Sequence, residues 1–154
     1  MIIIRTAQEE DCESVFQVHI RAIKVICTKH YAQDEIEAWS SVLKPGRYKN
    51  AIRRGPFFVA VDGDAIVGFS NLNCKSGEVE AVYVDPGYVG IGVGMKLLQA
   101  LEIAAKVAGL TFLHLSSSLN AVSFYEKAGY ISQNHTRNLL PFGMVTCVPM
   151  VKNL

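Results

Sequence analysis

The sequence predicts a mixed α/β fold: a single domain whose mainly antiparallel central sheet is flanked by helices, in the order βααβββαβαββ. Three observations predict it. A chain of 154 residues has the bulk for one well-buried core and not for two. From Phe57 to Val84 the apolar residues alternate with polar ones at the period of a strand. On either side, at Cys12 to Ile23 and Leu97 to Ala108, they recur at three- and four-residue spacings, one buried stripe on each of two helices.

The elements follow in order. Met1 to Arg5 is a β-branched run and reads as the first strand. Thr6-Ala7-Gln8-Glu9 has the hydroxyl-to-carboxylate spacing of a capping box, so a helix follows. Its stripe is Cys12, Val15, Phe16, His19, Ala22 and Ile23, and it is expected to end between Val25 and Thr28. The next stretch is less regular. It holds a short helical piece from Asp34 to Trp39, then Lys44-Pro45-Gly46, a breaker that opens another short helix through Ile52. Phe57 to Val61, Ala65 to Asn73 and Glu78 to Val84 form a meander through the turns Asp62-Gly63-Asp64 and Lys75-Ser76-Gly77. Asp85-Pro86-Gly87 stops the third of these strands, and a glycine-rich loop leads into a helix over Met95 to Ala108, closed by Gly109. Thr111 to Leu115 is a strand and Ala121 to Lys127 a helix ended by Gly129. Tyr130 to Asn138 and Met144 to Val151 make a final hairpin around Leu140-Pro141-Phe142-Gly143. No repeat, linker or low-complexity segment interrupts the series, so residues 1–154 read as one domain.

Composition narrows the function. Lys and Arg number 15 against 14 Asp and Glu, a net charge of +1. That leaves no broad field to hold a phosphate backbone, and nucleic acid is not expected as a partner. The longest apolar runs fall far short of the roughly 20 residues that span a bilayer, and Met1-Ile2-Ile3-Ile4-Arg5 does not make a signal peptide, so no membrane partner is expected. Cys12, Cys27, Cys74 and Cys147 stand apart with no CxxC pair. They read as buried thiols of a reduced, cytoplasmic protein, with neither disulfides nor a metal site. An apolar share of 50% at this size also fits a homodimer that covers an apolar patch.

Residues 88–96, Tyr-Val-Gly-Ile-Gly-Val-Gly-Met-Lys, place three glycines at alternate positions between a strand end and a helix start. Two readings are open. Backbone N–H groups there can converge on a phosphate, helped by the positive end of the helix; or glycine merely permits a tight strand-to-helix turn. Spacing excludes two familiar phosphate loops. Lys96 is preceded by Met95 and followed by Leu97, not the GK[ST] of a P-loop. A Rossmann fingerprint needs GxGxxG after the first strand, whereas here the third glycine is misplaced and the meander comes first.

Val82-Tyr83-Val84-Asp85-Pro86, then Tyr88-Val89-Gly90-Ile91-Gly92-Val93-Gly94 and Leu97-Leu98, resemble the acetyl-CoA loop of the GNAT family of N-acetyltransferases, whose pattern is Gln/Arg-x-x-Gly-x-Gly/Ala. A second block, Ser118-Leu119-Asn120-Ala121-Val122-Ser123-Phe124-Tyr125-Glu126-Lys127-Ala128-Gly129-Tyr130, is similar to the family's next motif and follows at the expected separation. The resemblance covers nearly the whole chain and is weakest over residues 24–56. Val89 stands where the family has Gln or Arg, which alters a side-chain contact and keeps the main-chain amide.

The resemblance implies acetyl-CoA as co-substrate. The amides of Val89, Gly90, Gly92, Gly94 and Met95 would hold its pyrophosphate. The main chain at Val82 and Val84, with Tyr83 between them, would pair with the pantetheine arm as an added strand does, and Asn120 would contact the arm. The parallel strands four and five would splay apart to admit the thioester. Tyr125 matches the family tyrosine near the sulfur and would donate a proton to the departing thiolate; otherwise it is a helix tyrosine packed beside Phe124. The amide of Val82, at a strand bulge, would donate to the carbonyl oxygen as charge develops on it.

For the base the residues themselves offer Glu80 first and Glu78 second, on one face of a strand and roughly 7 Å apart. Burial that disfavours the ionised form would suit either carboxylate to the work; on a solvated strand end, ordered water would take the proton instead. His114 reads as a strand histidine before a base. Trp39 reads as an anchor of its short helix. His30 and Tyr31 fall in the segment expected to shape the acceptor pocket. The function expected is transfer of acetyl from acetyl-CoA to a primary amine of a small molecule or peptide, by direct attack in a ternary complex. The alternative is a non-catalytic acyl-CoA-binding module on the same fold. Acceptor selection is expected to lie in residues 24–56 and 138–143.

Overall fold

The computed structural model describes residues 1–133, 136–140 and 143–154, with 136–140 and 143–146 described through their backbone alone. The elements are β1 (Ile2–Thr6), α1 (Cys12–Ile26), α2 (Gln33–Ser41), α3 (Lys49–Arg54), β2 (Phe57–Asp62), β3 (Ala65–Asn73), β4 (Glu78–Val84), α4 (Val93–Val107), β5 (Phe112–Ser117), α5 (Val122–Lys127), β6 (Ile131–Ser132), β7 (Thr136–Leu140) and β8 (Gly143–Asn153). The strand order is β1-β2-β3-β4-β5-β8-β6, and β7 pairs with β8. Every pairing is antiparallel except β4 with β5.

The meander and the mainly antiparallel sheet flanked by helices are as the period predicts. Four local expectations are corrected. Thr6 does not cap α1: it stays in β1 opposite Phe58. The turn into the helix is capped two residues later, where the Asp11 carboxylate accepts from the Gln8 N–H at 2.8 Å and is itself held by both Nη atoms of Arg5, at 2.7 and 3.0 Å. Between β1 and β2 there are three helices where the expected order counts two; the third, α3, is the short helix expected after Pro45. The expected strand over Tyr130 to Asn138 is broken into β6 and β7. Finally, Cys27 and Cys147 are buried, but Cys12 and Cys74 are only half-buried. In the final hairpin Leu140 faces Gly143; Pro141 and Phe142 lie outside the described residues.

The sheet separates two cores. On one side α1 covers it, with Val15 and Val18 against Phe57, Val59 and Phe69. On the other α4 covers it, with Leu98 and Leu101 against Leu72, Val79, Leu113 and Met150. Trp39 is buried in a third cluster with Ile23, Ile36 and Leu43, its ring edge-on to Tyr31 with centroids 5.5 Å apart, so it anchors α2 as expected. Among the described residues no helix is long and apolar enough to cross a membrane.

Candidate functional site

The site is organised by one irregularity in β4. Asn71 faces Ala81 while Leu72 faces Val79, so Glu80 is an extra residue in its strand, a β-bulge. Side chains of a regular strand alternate, and Glu78, Glu80, Val82 and Val84 would then share one face. The bulge breaks that phase. Val79 packs on the α4 side, Ala81 and Tyr83 on the α1 side, and Val82 and Val84 again on the α4 side, near Val93 and Leu97. The carboxylates and the two valines are thus turned to opposite faces. The sequence places a bulge at Val82; the structure places it at Glu80.

Beyond the bulge β4 has a free edge. Its pairing with β5 consists of Glu78 opposite His114, after which the two strands part, as the splay expected of them requires. The Asp85 N–H donates to the Val67 carbonyl at 2.8 Å, on the β3 side. Main-chain groups of successive residues point to opposite edges, so Tyr83 also faces β3 while the polar groups of Val82 and Val84 face the gap. His114 is held at the strand start, its Nε2 2.9 Å from the Ser76 carbonyl oxygen.

On the α4 face of this edge lies a groove of about 350 Å³ lined by Ile26, Val82, Val84, Val89, Gly90, Gly92, Gly94, Met95, Asn120, Ala121 and Phe124. Gly92 is the N-cap of α4 at φ +89°, with no side chain to cap it. The first intrahelical bond is Lys96 N–H to the Gly92 carbonyl. The amides of Val93, Gly94 and Met95 therefore have no partner in the helix, and the helix dipole adds to their pull on an anion. A Cβ on Gly94 would come within 3.2 Å of the Phe124 ring, so a side chain there would have to push that ring aside. The loop is pinned at its entry. Asp85 accepts from the Gly87 N–H at 3.0 Å and pairs with Arg21 of α1 at 2.6 Å, and the Tyr88 hydroxyl donates to Asp62 at 3.0 Å.

On the α1 face a second cavity of about 360 Å³ is lined by His19, Arg47, Tyr48, Ala51, Phe57, Phe69, Asn71, Glu78, Glu80 and Ala81. Glu80 is exposed rather than buried as expected, and its Oε2 accepts from Arg54 and from the Asn71 amide, both at 2.6 Å. Glu78 has no ion-pair or hydrogen-bond partner among the described residues. His19 is buried, with Nδ1 2.8 Å from the Tyr48 hydroxyl and its ring centroid 4.1 Å from that of Tyr83. Burial first, then the nearby Arg47 guanidinium, push its imidazole down to about 3.

The groove brings together Val82, Val84, Val89, Gly90, Gly92, Gly94, Met95 and Asn120 of the residues picked from sequence. Tyr83 and Tyr125 do not line it. Tyr83 stacks on Phe69 and lies tilted against His19 on the opposite face. Tyr125 is 7% exposed, between Phe124 and Tyr130 with ring centroids 5.0 and 5.6 Å away, and its hydroxyl has no hydrogen-bond partner among the described residues. Burial pushes its phenol well above the ordinary range. Asn120 accepts from the Cys27 thiol at 3.5 Å, and the same burial pushes that thiol up to about 11. Tyr31 is buried, its hydroxyl accepting from the Leu119 N–H at 3.0 Å. It braces the turn before α5 instead of lining the second cavity.

Residues 27–154 match the acetyltransferase (GNAT) domain. The chain belongs to the GNAT acetyltransferase family. Over 127 residues, 82% of this chain and 79% of the other, it is 27% identical to the uncharacterized N-acetyltransferase YafP of Escherichia coli K12. The fold superposes on a GCN5-related N-acetyltransferase from Rhodopseudomonas palustris with a TM-score of 0.92 and 25% identity, covering 99% of this chain and 95% of that one. The PaiA N-acetyltransferase from Thermoplasma acidophilum, in complex with coenzyme A, superposes at 0.80 with 23% identity, covering 100% and 99%.

Within this GNAT fold, sequence reasoning missed Ile26, Ala121 and Phe124 in the groove, and Arg47, Tyr48 and Asn71 in the second cavity. Phe124 stands inside the quoted motif, and its four-residue spacing from Asn120 could have found it. Arg47 and Asn71 carry no local signal, since what makes them wall residues is a neighbour distant in sequence.

Proposed function

We propose that this chain is an N-acetyltransferase, one domain over residues 1–154, which moves the acetyl group of acetyl-CoA to a primary amine by direct attack in a ternary complex. The observation that carries the reading is the placement of two cavities on opposite faces of β4, beside the unpaired edge where Val82 and Val84 direct their main-chain groups. One reactant can enter from each face, and no covalent enzyme intermediate is needed.

The groove residues fit coenzyme A. Amides without helical partners suit the pyrophosphate, and the side-chain-free floor at Gly94 admits close approach of the main chain. The free edge at Val82 and Val84 suits the amides of the pantetheine arm, which Asn120 would also contact. When bound, acetyl-CoA supplies a thioester whose carbon takes the amine nitrogen and whose sulfur leaves as a thiol. The amide of Val82 donates towards the carbonyl oxygen. Tyr125, kept protonated by burial, donates its phenolic proton to the departing sulfur.

Of the two carboxylates, Glu78 has both oxygens free to take a proton from the incoming ammonium. Glu80 is occupied by Arg54 and Asn71 and holds the cavity wall in place. The second cavity is the acceptor site, and it takes a small molecule or the end of a peptide. Four cysteines without a disulfide support a reduced, cytoplasmic setting, and exposed Ile103 and Val107, one turn apart on α4, support a homodimer. The test is release of free thiol from acetyl-CoA across a library of primary amines. Amine-dependent thiol release is expected; coenzyme A binding with no turnover of any amine would instead make the chain a binding module.

A further inference from the structure

The acceptor cavity carries two opposite charges that no ion pair among the described residues neutralises. Among the described residues Arg5, Arg21, Arg53 and Arg54 each pair with a carboxylate, respectively Asp11, Asp85, Glu9 and Glu80. Arg47 has no such partner, although it lines the same cavity as Glu78. Its position is set by the 3-10 turn Pro45–Tyr48, and that turn is fixed by the buried Tyr48, which is bonded to His19. Arg47 and His19 line the cavity together. Glu80 and Arg54 cancel each other. What remains is one carboxylate, one guanidinium and a wall of Tyr48, Phe57 and Phe69. His19 adds an Nε2 that has no partner.

An acceptor that complements this cavity carries an ammonium for Glu78, a carboxylate for Arg47 and a hydrocarbon portion for the aromatic wall. A simple alkylamine or a polyamine would leave Arg47 facing no anion, or facing a second cation. The amino end of a long peptide has its α-carboxylate tied up as an amide and offers Arg47 no anion beside the amine unless its first side chain is acidic. We propose that the acceptor is a free amino acid, bound as a zwitterion with its carboxylate on Arg47 and its amine presented to Glu78. This rests on the acetyltransferase reading above, and on the α1-side cavity as its acceptor site.

The test measures thiol release from acetyl-CoA with free amino acids, γ-aminobutyrate among them, each beside its own carboxamide. Calorimetric titration with coenzyme A runs in parallel. The expected result is a preference for the acid of about tenfold or more in kcat/KM, the size of one charge-assisted pair. It should be carried by KM. Arg47→Gln should collapse the acid-to-amide ratio towards one, and Arg47→Lys should restore part of it. Arg47 is exposed, and unchanged coenzyme affinity verifies that the variants are folded. Carboxamides used as well as acids, or a ratio untouched in Arg47→Gln, would overturn the inference and leave the acetyltransferase standing. Coenzyme binding with no turnover of any acid overturns it too, and absence of coenzyme binding overturns both readings.

Discussion

Arg54 Nη2 and Glu80 Oε2 stand 2.6 Å apart, joining the last residue of α3 to the bulge of β4. The pair spans 26 residues of sequence. It ties up one of the two strand carboxylates, while Glu78 has no ion-pair or hydrogen-bond partner among the described residues. Glu78→Gln is expected to lower kcat about tenfold or more, the scale of general-base catalysis, with coenzyme affinity unchanged. Glu80→Gln keeps the shape and loses the ion pair, so its main effect is expected on the KM of the amine. Thiol-release kinetics check both, and a large kcat loss in Glu80→Gln alone would return the role of base to Glu80.

Gly92 caps α4 at φ +89°, where any Cβ is strained by roughly 1–2 kcal/mol. Relief of that strain would rotate the amides that point into the groove. Gly92→Ala is therefore expected to weaken coenzyme A binding by about tenfold or more, as read by calorimetry. Circular dichroism should show the fold retained, because nothing lies within 4 Å of the added methyl.

Tyr125 has a hydroxyl with no partner among the described residues, so its removal strands no donor or acceptor in the folded protein. Tyr125→Phe is expected to leave thermal stability nearly unchanged and to cut kcat by about a hundredfold, within the range for a lost general acid. Wild-type kcat in this variant would assign Tyr125 to packing alone.

His19 is depressed to about 3 by burial and by Arg47, against about 6.5 in an unfolded chain. Between those values the unfolded state binds a proton that the native state refuses, so stability falls as pH drops below about 6.5. The fall is at most about 1.4 kcal/mol per pH unit and levels off near the folded value. Urea unfolding at pH 7 and pH 5 should show the loss, and His19→Gln should show a smaller pH dependence over the same interval.

Much of the fold was legible because it is written in local periods. The meander from Phe57 to Val84, the helix after the glycine loop and the block from Ser118 to Tyr130 each announce themselves within a few residues. The groove was legible for the same reason, since Val89, Gly90, Gly92, Gly94 and Met95 are contiguous. The split of β6 from β7 was not, because short apolar segments suit several conformations until a sheet chooses among them. The cap at Gln8 was misplaced because Thr6 and Asp11 compete for the role, and pairing of Thr6 with Phe58 decides the competition.

Sequence alone determined the fold class, the family resemblance and the glycine loop, all of which depend on neighbours along the chain. Tertiary structure alone decided the phase of β4. One extra residue opposite the Asn71–Leu72 step reverses the faces of everything after it, and whether a strand bulges depends on the strand beside it and the cores it must fill. The same packing brought Arg47, Arg54 and His19 to the carboxylates of that strand. Such distant pairings leave no trace in the spacing of residues.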